Sequence, residues 1–145
     1  MSGLVDLKAL VAASPFCRFL NIEPQVDERG VLVILPARNT LIGNVLLPAM
    51  HGGAVASFLE ITCMLQLVHE TGNVSPARAI DINVEYLRPT RPEIVYARAK
   101  IRRLGRRVAT VHGEAWQKDE ATPTCLVQCH FRLPRLAGQV LVDSA

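Results

Sequence analysis

The stretch His51-Gly-Gly-Ala-Val-Ala-Ser-Phe-Leu-Glu-Ile-Thr-Cys-Met-Leu-Gln-Leu-Val-His-Glu70 constrains the fold more than any other part of the chain. It contains no proline, and its only glycines, Gly52 and Gly53, stand at its start. Thr71-Gly72-Asn73 follows it, and glycine just past the last turn is a common helix exit. The pattern predicts a helix over about 53–70. Its apolar residues fall on every side of the helical wheel, and a helix that is apolar all round belongs in an interior. The rest of the chain must therefore wrap it.

The segments after the helix have the right pattern for wrapping. Ile80, Ile82, Val84 and Tyr86 alternate with Asp81, Asn83 and Glu85. Val95, Ala97, Ala99 and Ile101 oppose Arg98, Lys100 and Arg102. Ala109, Val111, Gly113 and Ala115 oppose Thr110, His112, Glu114 and Trp116, and Cys125, Val127, Cys129, Phe131 and Leu133 oppose Thr124, Gln128, His130 and Arg132. Period-two alternation with one polar face predicts an antiparallel sheet wetted on one side. Turn signals at Arg91-Pro92, Leu104-Gly105 and 121–123 keep the connections short. Ahead of the helix, 4–13 reads as a short amphipathic helix ending before Ser14-Pro15. Strands at 22–27 and 31–35 form a hairpin through Glu28-Arg29-Gly30, and 36–50 reads as irregular. No repeat or linker interrupts the 145 residues, a length one core can serve, so 1–145 reads as a single domain. The fold class expected is α+β: an antiparallel sheet of about six strands around one long central helix. The small inward residues Ala97, Ala99, Ala109, Gly113 and Ala115 let that helix lie close.

Half the residues are hydrophobic and 20% are charged, the opposite of a disordered composition. Glu60 and Gln66 interrupt the longest apolar run, which argues against a membrane span. No leader pattern opens the chain, and Cys17, Cys63, Cys125 and Cys129 form no CxxC pair. Reduced thiols and a cytoplasmic location are the simplest expectation. Cys125 and Cys129 would share a strand face about 13 Å apart, too far for one zinc ion, so no metal is expected. Charge is uneven: residues 88–107 hold eight basic residues against Glu93 alone, while the remainder is net acidic. Such a belt is either a solvated sheet face or a grip on an anionic ligand. Nucleic acid explains it less well, because Tyr96 is its one aromatic and no RNP or helix-turn-helix pattern appears.

His51-Gly52-Gly53 followed nine residues after the histidine by Glu60, together with Asp81-Ile-Asn-Val-Glu-Tyr-Leu-Arg-Pro89, the Gly105-Arg106 turn and the closing Cys129-His-Phe131, resembles the hotdog-fold acyl-CoA thioesterases of the phenylacetate-degradation type. The resemblance covers roughly residues 20–133. Many relatives carry Asp where Glu60 stands, and a group acting on aromatic acyl-CoA carries Glu. The chain departs from the family pattern at Val45, Met64 and Ala79, with Asn44 one place from a position often held by Asn or Gln. The resemblance implies hydrolysis of acyl-CoA thioesters in a homodimer or a dimer of dimers (a homotetramer), with no cofactor beyond the CoA of the substrate. It implies no nucleic-acid or membrane partner. Two alternatives stay open: a non-catalytic acyl-CoA binding or sensor module, and a same-fold hydratase or dehydratase, although the His-Phe-Pro-Gly-like segment of the latter is absent.

The residues themselves fit that chemistry. A carboxylate among Phe58, Leu59 and Ile61 is costly to bury, so Glu60 either sits half-exposed at an interface, pairs with an arginine, or serves as general base or nucleophile at a cleft wall. Gly52 and Gly53 either make the entry turn or let a thioester approach first-turn amides, with the Gly53 N–H holding the developing oxyanion. His51 either caps the helix or orients the site, with Asn44 in support. Arg88, Arg102, Arg106 and Arg107 are the candidates for CoA phosphates. Gly53 and Glu60 lie on nearly one helix face but roughly 10 Å apart along the axis. A glutamate side chain does not span that gap, so the two partners of one site are expected from different subunits, as the resemblance also implies.

Overall fold

In the computed structural model, which describes residues 4–75 and 77–134, the alternating segments pair into one six-stranded antiparallel sheet. In chain order the elements are α1 (Leu7–Ala13), α2 (Pro15–Leu20), β1 (Glu23–Asp27), β2 (Gly30–Leu35), a 3-10 turn (Asn39–Leu41), β3 (Ile42–Asn44), β4 (Ala49–Met50), α3 (Gly52–Thr71), β5 (Arg78–Tyr86), β6 (Val95–Leu104), β7 (Val108–Trp116) and β8 (Cys125–Arg132). The sheet order is β1-β2-β6-β7-β8-β5, and β3 and β4 make a separate two-stranded ribbon. The expected fold class is the one observed. The outer limits of the expected domain, 1–3 and 135–145, lie outside the described residues.

α3 packs across β2, β6, β7 and β8. Val55, Phe58, Leu59 and Cys63 are fully buried on it, against Val33, Val95, Ala97, Val111, Cys129 and Phe131 of the sheet. By length and hydropathy α3 could cross a membrane, but half of that window is buried inside the fold, as suits a core helix. Gly113 explains the closeness of the packing. A Cβ there would stand 2.9 Å from Val127 Cγ2 and 3.0 Å from Cys63 Sγ, inside van der Waals contact. At the far end of the helix, Gly72 takes the left-handed conformation and its N–H donates to the Val68 carbonyl, ending α3 where the sequence expects.

Four expectations need correction. First, 4–13 is shorter as a helix, beginning at Leu7 with Asp6 as its cap, and a second helix follows at once. Ser14 ends α1 and caps α2, and Pro15 takes the first helical position, where its missing N–H costs nothing. Second, residues 36–50 are not wholly irregular, since they hold the 3-10 turn and the β3–β4 ribbon. Third, α3 is not buried all round. Gly53 is exposed, and Ala56, Ser57, Glu60, Ile61 and Met64 stay half-buried, because the sheet covers only the opposite side.

Fourth, the inward row of β5 is not covered. Ile82, Val84 and Tyr86 align with Cys129, Val127 and Cys125 on the helix side of the sheet. Yet Ile82 is 37% and Tyr86 55% exposed, because β5 is the sheet edge and α3 lies over the middle strands. Ile80 sits in a bulge between Ala79 and Asp81 and is also exposed.

Candidate functional site

The start of α3 is fixed by four neighbours. The His51 N–H donates to the Leu41 carbonyl at 2.7 Å, and the Met50 N–H donates to the Thr90 carbonyl at 2.8 Å. β3 presses on His51 through Gly43, where a Cβ would come within 2.7 Å of the His51 Cα, so only glycine fits. Tyr86, at the end of β5, donates its hydroxyl to the Gly52 carbonyl at 2.8 Å, and its ring lies where a side chain on Gly52 would go. Partial burial raises the Tyr86 hydroxyl above its usual range, so it stays a donor.

His51 is the N-cap. Its Nδ1 accepts from the Gly53 N–H at 2.9 Å, and its carbonyl accepts from the N–H groups of Ala54 and Val55. This satisfies first-turn donors and fixes the ring tautomer, because an accepting Nδ1 carries no proton. The amide expected to hold an oxyanion is thus already paired with the imidazole beside it. A carbonyl oxygen reaches it only when the ring turns aside.

Glu60 lies two turns along the same open stripe, with Ser57 between it and Gly53. It is half-buried, and among the described residues no arginine or hydrogen-bond donor pairs with it. Of the alternatives for Glu60, the arginine pair is therefore not what the structure contains. Asn44 does not reach into this group. Its amide oxygen accepts from the N–H groups of Leu46 and Leu47 at 3.0 and 3.1 Å, turning its own loop.

The arginines do not converge. Arg88 is exposed in the loop after β5, and its N–H donates to the Thr124 carbonyl. Arg102 stands on the outer sheet face with its Nε toward His112 Nδ1 at 3.3 Å. Arg106 and Arg107 lie at the β6–β7 turn, where Arg106 borders a cleft of about 290 Å³ with Leu67 and Thr71 at the opposite end of α3. A 20-residue helix spans about 30 Å, so within one protomer the expected belt is split between the two ends of α3. Its other members are partly structural. Arg98 forks onto Asp27 and holds that carboxylate below its usual range, aided by the Arg29 N–H. Arg91 clamps the Leu47 carbonyl at 2.8 Å.

Two contributors escape sequence reasoning. Tyr86 meets Gly52 across 34 positions, and nothing local announces that contact. Phe16 and Phe19 of α2 join Leu20, Thr40, Leu41, His51, Gly53, Ala54 and Ser57 around a cleft of about 360 Å³. Ser57 was findable, since it is one turn from Gly53 on the same face. The cysteines lie elsewhere and are buried. The Cys63 thiol is pushed well up by its hydrogen bond with the Cys129 thiol and by burial.

A profile of the thioesterase superfamily matches residues 47–124, which takes in His51, Glu60 and the Tyr86 strand end. The medium/long-chain acyl-CoA thioesterase YigI of Salmonella typhimurium is 30% identical over 132 residues, covering 78% of this chain and 85% of that protein. A Bacillus halodurans protein solved with CoA superposes with a TM-score of 0.76 at 21% identity, over 90% of this chain and 89% of its own. A phenylacetic acid degradation-related protein of Ralstonia eutropha superposes with a TM-score of 0.73 at 17% identity, over 87% of this chain and 98% of its own.

Proposed function

The chain belongs to the thioesterase superfamily, and from that membership we propose that it hydrolyses acyl-CoA thioesters at the open stripe of α3, with Glu60 and the Gly53 N–H acting from two copies of the chain. The observation that carries this reading is the half-buried Glu60 carboxylate, without a partner among the described residues, on the same helix face as the His51-capped Gly53 amide. The acyl-CoA substrate follows from the activity of YigI and the CoA held by the Bacillus protein.

In the proposed reaction the thioester carbonyl oxygen replaces His51 Nδ1 as acceptor of the Gly53 N–H. Glu60 takes a proton from water while the water oxygen attacks the carbonyl carbon. The negative charge that develops on the carbonyl oxygen is met by an amide at the positive end of α3. The C–S bond then breaks, and the leaving thiolate recovers the proton from Glu60, giving free acid and CoA. If Glu60 attacks directly instead, a mixed anhydride forms and water cleaves it. Tyr86 holds the Gly52 carbonyl and so positions the turn. No metal or cofactor beyond the CoA of the substrate takes part.

Two copies are needed because about 10 Å of helix rise separates Gly53 from Glu60. The half-open α3 stripe and the β5 edge with exposed Ile80, Ile82 and Tyr86 support self-association as a dimer or dimer of dimers. Arg88 meets CoA phosphates from the site's own copy, while Arg106 and Arg107 meet them only from a second copy whose α3 runs the other way. Reduced, buried thiols agree with a cytoplasmic location.

Release of free thiol from short, medium, long and aromatic acyl-CoA tests the reading. Glu60→Gln is expected to lower kcat at least ~100-fold, the order lost when a general base is removed. Undiminished turnover in Glu60→Gln would refute its role. Mixing Gly53→Pro with Glu60→Ala subunits is expected to restore activity in mixed dimers, and no recovery would refute the shared site. Tight acyl-CoA binding without turnover would instead favour a sensor module.

A further inference from the structure

The cleft beside His51 is lined by both polar and apolar groups. The Gly53 amide, His51, Ser57 and Thr40 supply the polar part, and Phe16, Phe19, Leu20, Leu41 and Ala54 the apolar part. Phe16 and Phe19 are 48% and 51% exposed, and their rings stack with centroids 6.2 Å apart. Two adjacent aromatic rings left half in water on a helix of six residues are costly unless something covers them. α2 is nevertheless held firmly. Leu20 and Cys17 are buried in the core, Ser14 caps it, Arg18 donates to the Ala12 carbonyl and Arg38 donates to the Phe19 carbonyl. The volume, about 360 Å³, falls within the roughly 300–1,000 Å³ of small-molecule sites.

We propose that this cleft receives the hydrocarbon part of the acyl group, and that Phe16 and Phe19 set the preference for acyl length. The assignment rests on the thioesterase reading above. A thioester has one polar carbonyl joined to an apolar tail, and the cleft offers a wall for each, the Gly53 amide for the carbonyl and Phe16, Phe19 and Leu20 for the tail. With the carbonyl oxygen on the Gly53 N–H, a linear chain leaves the helix N-terminus along Ala54 and Leu41 and ends beneath the two rings. An acetyl group is too short to reach them, whereas a dodecanoyl chain covers both. The rings thus contribute only to substrates long enough to touch them.

The test compares kcat/KM for acetyl-, hexanoyl- and dodecanoyl-CoA in wild type, Phe16→Ala, Phe19→Ala and Thr40→Trp, the last adding bulk to the cleft lining. The ratio of dodecanoyl to acetyl turnover is expected to fall roughly tenfold in each variant, the share one half-buried aromatic ring supplies. A loss of equal size at every chain length would overturn the proposal. Calorimetric binding of the non-hydrolysable thioethers S-methyl-CoA and S-dodecyl-CoA keeps this separate from catalysis. Wild type is expected to bind S-dodecyl-CoA more tightly, with the gap narrowing in all three variants. If thioesters are not cleaved but that gap is present and narrows, the cleft assignment stands and the hydrolase reading falls. If thioesters are cleaved but the gap and the turnover ratio ignore Phe16 and Phe19, the assignment falls alone.

Discussion

Gly113→Ala examines how tightly α3 is pressed onto the sheet. The added methyl would meet Val127 Cγ2 at 2.9 Å, Cys63 Sγ at 3.0 Å and Leu59 Cδ2 at 3.4 Å. The first two are a few tenths of an ångström inside ordinary contact. Both neighbours are at most 4% exposed, so neither has free space to enter. Overpacking of this kind costs about 1–3 kcal/mol. Against it stands the entropy gained by restricting the unfolded chain, about 0.4–1 kcal/mol, which applies because Gly113 does not hold a positive φ. Overpacking wins, and the net loss is roughly 0.5–2 kcal/mol. For a chain of 145 residues that lowers Tm by roughly 2–8 °C. Differential scanning calorimetry at neutral pH reads it. Val127→Ala in the same chain opens the space, so the double variant is expected to lose less than the sum of the single losses. A Gly113→Ala protein as stable as wild type, or additive losses in the double variant, would mean that position 113 is not crowded between Val127 of β8 and Cys63 of α3.

Three further outcomes are expected. His51→Ala removes the cap on the Gly53 N–H, lowering stability by about 1 kcal/mol in chemical denaturation, and an unchanged midpoint would show that the cap contributes nothing. Gln66→Leu strips the buried Val31 N–H of its acceptor and Glu70 of its donor, so a loss of about 1–3 kcal/mol is expected by urea titration, with a loss under about 0.5 kcal/mol contradicting the role. Burial pushes the Cys125 thiol up to about 11, and Cys63 and Tyr86 shift the same way. A folded pKa above the unfolded one gives stability that is complete below the unfolded thiol value of about 8.5 and is lost as pH rises toward 11. Denaturant midpoints are expected to fall between pH 8.5 and 10.5, and a flat profile there would contradict the buried thiols.

Much of the fold was legible because two periodicities carry it. The apolar run after His51 and its glycine stop locate α3 within one residue at each end, and the alternation in β6, β7 and β8 places every buried residue on the helix side except Trp116, which is buried on the outer face against Tyr96. Alternation does not say what lies over a face. Ile82 and Tyr86 point as expected yet are open, because strand order rather than strand sequence decides which strand is the edge. Pro15 reads equally well as the end of one helix and the start of the next, and only the Ser14 side chain, accepting from the Cys17 N–H, shows the second. The site was legible as a motif but not as geometry. His51 on Gly53 is a contact of two positions, open to inspection, whereas Tyr86 on Gly52 and the phenylalanines of α2 arrive from far along the chain. A run of arginines in sequence became a belt split along a helix because β6 and its turn carry them past both ends of α3.

The order of the strands also governs how the chain is born. β2 pairs with β6 rather than with anything made soon after it, and among the described residues β5 pairs only with β8, the last of their strands. At ribosomal rates of about 5–20 residues per second, roughly 3–12 s pass between the emergence of Thr71 and that of Arg132. When that interval opens, β2 alone of the four strands packed across α3 has been synthesised; β6 is complete at Leu104, and β7 and β8 follow. The nascent chain therefore carries a half-covered apolar helix until β8 arrives, so full burial of α3 waits on translation of the whole segment from β6 to β8.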